Sequence, residues 1–192
     1  MTTQTEPIII VSGLPRSGTS MMMSMLVAGG ILAMTDAIRT ADEDNPKGYF
    51  ELEKVKELAK DNRWLNDAGG RAVKIISALL KHLPSDYRYK IIFMRRNMQE
   101  ILASQRQMLV RRGEATDTVS DERMAEMFRK HLLEVEGWLG KQPNVEVIYV
   151  DYNQMLDAPA HAIEAINNFL GGRLDTAAMT AVVDKTLHRQ RA

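Results

Sequence analysis

At 192 residues, 45% hydrophobic and 26% charged, the chain is long enough for a sizeable core, and one domain over residues 1–192 is expected. Lys plus Arg and Asp plus Glu both number 25, so the formal charge is zero and the broad basic face of a nucleic-acid binder is not expected. With no cysteine, disulfides, thiolate metal sites and a cysteine nucleophile are excluded together.

The opening stretch, Met1 to Pro7, is polar and has neither the basic nor the apolar part of a signal peptide. No apolar run approaches the ~18 residues of a membrane span, so a soluble, cytoplasmic protein with no membrane partner is expected. Ile8 to Ser12 reads as the first strand, and a glycine-bounded loop, Gly13 to Gly18, leads from it into a helix. Three consecutive methionines, Met21 to Met23, are expected to fill core gaps in that helix. After the glycine-containing loop Asn45 to Phe50, Leu52, Val55, Leu58 and Ala59 keep helical spacing.

Further strands are read at Ala72 to Ile75, Lys90 to Met94 and Val145 to Val150, all rich in β-branched and aliphatic residues and expected to be buried on both faces. Met98, Ile101, Leu102, Gln105, Met108 and Leu109 predict one helix, and Met124 through Leu139 another. Between these two, Gly113 to Asp121 is a long polar loop and a candidate flap. Pro159 opens a helix through Ile163, Ile166 and Phe169 that stops at Gly171 and Gly172. Strands alternating with helices predict a three-layer α/β/α fold with a mainly parallel central sheet. Ligands of such sheets bind beyond the carboxyl ends of the strands, where the loops after Ser12, Ile75, Met94 and Val150 converge.

The first of these loops has the architecture of a phosphate cradle. Gly13 and Gly18 permit backbone conformations that turn N–H groups inward, and the following helix adds its unsatisfied N–H groups and positive dipole end. The spacing Gly13-x4-Gly18 matches the nucleotide-triphosphate loop except that Thr19 stands where that loop has lysine. The cation is instead Arg16, placed to fork around one anionic group.

Pro15-Arg16-Ser17-Gly18-Thr19-Ser20 resembles the 5′-phosphosulfate loop of sulfotransferases, Pro-Lys/Arg-Ser-Gly-Thr-Thr/Ser. Lys90 to Ser104 is similar to that family's second signature, a strand ending in an arginine with a serine eight residues later; Arg96 and Ser104 fall on those positions. Asn45-Pro46-Lys47-Gly48-Tyr49-Phe50-Glu51 resembles a segment of short bacterial sulfotransferases, and Val147 to Tyr152 resembles their late strand. The resemblance implies a P-loop nucleotide hydrolase-like fold and 3′-phosphoadenosine 5′-phosphosulfate (PAPS) as sulfuryl donor, with the bisphosphate PAP as product and no metal. It also implies that Pro15 to Ser20 hold the 5′-phosphosulfate, that Arg96 and Ser104 hold the 3′-phosphate, and that a small-molecule or glycan hydroxyl or amine is the acceptor.

Arg16 is the candidate for neutralising the leaving phosphate, and Lys74, at a strand end, for steadying the transferring group. The family's best-known branch carries Lys-x-His here, whereas Lys74-Ile75-Ile76 has isoleucine in the histidine position. Glu51 and His82 are the candidate bases, the glutamate by similarity to other branches; His131, on an apolar helix face, reads as a packed histidine. Trp64, Tyr49 and Phe50 are candidates for lining the acceptor pocket. The terminal run Lys185 to Arg191, which includes His188, reads as solvated charge and lacks the family's Arg-x-Gly-x-x-Gly motif. Two other readings stay open. One is a kinase or hydrolase with a degenerate loop, for which Asp151 is the strand-end acid; the other is a non-catalytic adenosine-phosphate binder.

Overall fold

The computed structural model describes residues 6–36, 48–115 and 119–184. Asn45 to Lys47, the middle of the Gly113-to-Asp121 loop and the run from Lys185 onward lie outside them. Four parallel strands are ordered β2-β1-β3-β4: β1 is Ile8–Gly13, β2 Ala72–Lys74, β3 Tyr89–Arg95 and β4 Val145–Asp151. Ile10 pairs with Val73 on one side and Ile91 on the other, and Ile91 pairs in turn with Val147. A single parallel bridge from Ala33 to Ala72 extends the sheet beyond β2.

Side-chain alternation divides β1 between two cores. Ile9 and Val11 join a cluster with α1 (Thr19–Ala28), α4 (Tyr152–Asp157), α5 (Pro159–Phe169) and α6 (Thr176–Val182). Ile8 and Ile10 point the other way, toward α3 (Asp121–Leu139) and the 3-10 turns around Val55, Trp64 and Leu80. The three-layer parallel architecture expected from the sequence is therefore present, with α2 (Met98–Arg111) following β3. Met22 and Met23 are fully buried in the first cluster, as core methionines.

Three expectations need correction. The pattern Leu52 to Ala59 does not form an α-helix but only a 3-10 turn, Glu53–Glu57. Its entrance is pinned to a neighbouring segment: the Thr35 hydroxyl and the Asp36 N–H donate to the Glu51 carbonyl, and Asp36 accepts the Glu53 N–H at 2.6 Å. One remaining turn lacks the length to propagate as a helix. Strand β4 is not buried on both faces, because it is the sheet's outer strand; of its residues only Val150 is buried, and Tyr149 is 40% exposed. Trp64, expected near an acceptor, is a core residue of the α3-side cluster.

Candidate functional site

The carboxyl ends of β1, β2 and β3 each deliver part of the site. After β1, Gly13 has φ 147° and Gly18 φ 97°, and Arg16 takes the left-handed region at φ 69°. Between them Ser17 is buried, its hydroxyl donating to the Leu14 carbonyl at 2.7 Å and its N–H to the same carbonyl at 3.2 Å. This internal tie closes the loop into a compact turn. Gly18 occupies the N-cap of α1, where no side chain caps the helix and no acid sits in the first turn. A helix start of this kind presents its orphan N–H groups and dipole to an anion.

At the end of β2, the 9%-exposed side chain of Lys74 donates to the Tyr49 carbonyl and lies 3.5 Å from both the Ser20 hydroxyl and a Glu51 carboxylate oxygen. Lys74, Ser20 and Glu51 are thus brought together at one end of the loop. Glu51 precedes the 3-10 turn Glu53–Glu57 and its extended N-cap Leu52, so it is not a first-turn helix residue stabilised by a dipole.

The other end of the loop meets β3 and α2. Arg16 Nε donates to the Ser104 hydroxyl at 2.9 Å, and Arg96 Nη1 donates to the Arg16 carbonyl at 3.0 Å. Arg96 is itself nearly buried, its side chain 8% exposed. Its Nε donates to Glu100 at 2.8 Å, and its guanidinium lies 4.4 Å from the centre of the Tyr152 ring. Asn153 Nδ2 donates to the second Glu100 oxygen at 2.7 Å. Burial pushes the Tyr152 phenol above its ordinary value, against the opposing pull of Arg96, so the ring stays neutral beneath the cation. The sequence reading singled out Arg16, Arg96 and Ser104 but not Glu100, Tyr152 or Asn153 as members of this cluster. For Glu100 a signal existed, since it lies four residues after Arg96 on a helix.

Pro15 is exposed on the loop, and His82 is exposed at the end of the 3-10 turn Ser77–His82. His131 Nε2 lies 2.8 Å from the buried Ser77 hydroxyl, tying α3 to that turn as a packed histidine does. Asp151 is the N-cap of α4, accepting the Gln154 N–H at 2.8 Å. Among the described residues no group of three or more His, Asp and Glu is arranged to hold a metal, and no helix is long and apolar enough to cross a membrane.

A parallel sheet with a glycine-bounded loop between its first strand and first helix defines a P-loop-like α/β protein. Residues 6–190 match the sulfotransferase domain, and the chain belongs to the sulfotransferase family, which transfers sulfuryl groups. Among solved structures it is similar to sulfotransferase STF1 from Mycobacterium tuberculosis H37Rv, with 19% identity, coverage of 91% of this chain and 71% of that one, and a TM-score of 0.58. It is also similar to mouse sulfotransferase SULT7A1 complexed with PAP, at 16% identity, 97% and 67% coverage and a TM-score of 0.58. The sulfotransferase domain of the Synechococcus PCC 7002 olefin synthase matches at 14% identity, 97% and 84% coverage and a TM-score of 0.54. No curated protein sequence matches the chain.

Proposed function

We propose that the protein transfers the sulfuryl group of PAPS to a hydroxyl or amine of a small-molecule or glycan acceptor by in-line displacement, in the cytoplasm. The observation that carries this reading is the junction of Arg16 with Ser104 and Arg96, which joins two anion-binding motifs 80 or more residues apart in sequence. A donor with phosphate groups at two ends of one ribose would span such a junction. The cradle of Pro15 to Ser20, with the N–H groups at Gly18 and Thr19, would hold the 5′ end, and Arg96 and Ser104 the 3′-phosphate.

In this scheme Arg16 neutralises charge gathering on the leaving 5′-phosphate, and Lys74 steadies the sulfuryl oxygens beside Ser20. Glu51, 3.5 Å from Lys74, takes the acceptor's proton, a role ordinarily worth about 10²–10⁴ in rate. Of the two candidate bases Glu51 is favoured by that contact, because the reacting group would lie beside Lys74.

Thermal unfolding with PAP, compared with ADP with and without magnesium, tests the reading. PAP at ~100 times its Kd is expected to add about 2.7 kcal/mol, a rise of roughly 5–10 °C for a chain of this size. Stabilisation by ADP–magnesium with none from PAP would favour a nucleotide kinase or hydrolase and overturn the proposal.

A further inference from the structure

Glu100 is a carboxylate with 4% side-chain exposure, set four residues after the arginine it neutralises. Burying such a group is unfavourable unless both oxygens are satisfied, and here they are satisfied from two directions. One oxygen takes Arg96 Nε at 2.8 Å and the other takes Asn153 Nδ2 from α4 at 2.7 Å. The carboxylate is therefore fixed in orientation, and so is the guanidinium it holds.

That guanidinium acts on the loop at the residue whose backbone is most in need of support. Arg16 is left-handed at φ 69°, a conformation that non-glycine residues adopt at a cost, and its carbonyl takes the hydrogen bond from Arg96 Nη1. Tyr152 closes the arrangement from a second side. Its ring lies against the Arg96 guanidinium, and a Cβ on Gly18 would run into the same ring. The loop is thus gripped at Arg16 and at Gly18 by side chains from β3–α2 and α4. A buried ion pair is a weak source of net stability compared with apolar side chains of similar size, so its distinctive contribution here is geometric.

We propose that Glu100, oriented by Asn153, is a positioning residue that holds Arg96 against the Arg16 carbonyl and so keeps the phosphate loop in its anion-binding shape. This deepens the sulfotransferase reading and rests on it for the identity of the anion, but the bracing itself does not depend on what the loop binds.

Hydrogen exchange over residues 13–22 of the full chain separates the two claims. In Glu100→Ala, loop amides are expected to exchange about tenfold faster or more, the effect of losing one charge-assisted hydrogen bond, while amides of α5 keep their wild-type rates. Glu100→Gln, which keeps an acceptor oxygen for Arg96 Nε, should recover most of the protection. Asn153→Ala gives a milder variant of the same test should Glu100→Ala not fold. Loop exchange within about twofold of wild type in folded Glu100→Ala or Asn153→Ala would overturn the brace, whatever the ligand. PAP titration of the same variants gives the functional arm, with a Kd raised about tenfold in Glu100→Ala expected. Wild-type protein that fails to bind PAP sinks the sulfotransferase reading, while the exchange measurement still decides the brace.

Discussion

Arg16 and Gly13 lie in one loop with opposite tolerances for a side chain. At Gly13, φ is 147° and an added Cβ would come within 2.6 Å of the Met94 carbonyl oxygen, a backbone atom held by the sheet. Gly13→Ala is expected to lose on the order of 3 kcal/mol of stability, read as a lowered urea midpoint; a midpoint matching wild type would show that the loop relaxes freely. Arg16 carries a similar backbone penalty of about 1–2 kcal/mol, which two hydrogen bonds, to Ser104 and from Arg96, offset. Arg16→Gly removes the penalty together with the Ser104 bond. Its melting temperature is expected to stay within about 3 °C of wild type while PAP no longer raises it. Arg16, Arg96 and Ser104 stand out in the sequence through the resemblance of two segments to family signatures, and the structure brings the three side chains together. Asn153 and Tyr152 were not, because their roles exist only once α4 is set against α2, a relation between segments that no local pattern encodes.

Among the elements, those whose apolar residues fill a whole face were readable. The α3 helix and α5 follow their three-four spacing, β1 is buried throughout, and β3 is buried at all but Lys90 and Arg95. The Leu52-to-Ala59 segment has the same spacing but not the same fate, because hydrogen bonds from Thr35 and Asp36 hold its entrance extended. That correction bears on the site, since it leaves Glu51 outside any helix and beside Lys74. The short α4 escaped notice because it follows β4 with no intervening loop, its start marked only by Asp151. Asp151→Ala is expected to lower stability by about 1 kcal/mol, while Asp151→Asn, an equally good cap, stays near wild type. Equal losses in both variants, measured by denaturation, would mean that the charge rather than the cap matters.

At the scale of the whole molecule, a parallel sheet in the order β2-β1-β3-β4 brings strand ends from distant parts of the chain to one edge. This was legible from the alternation of strands and helices, since parallel neighbours need crossovers and share one carboxyl edge. The position of β4 at the sheet's edge was less so, because an apolar run reads alike whether one face or two are covered. The separation of 88 residues between Arg16 and Ser104 has a kinetic consequence. The β1–β3 pairing of Gly13 with Met94 already closes almost all of that stretch, so the side-chain junction is expected to form once the sheet has paired, on the native side of the folding barrier. A ligand bound there would stabilise the native state without touching the transition state. PAP should therefore slow unfolding in stopped-flow denaturant jumps and leave the refolding rate unchanged, and faster refolding with PAP would place the junction in the folding nucleus instead.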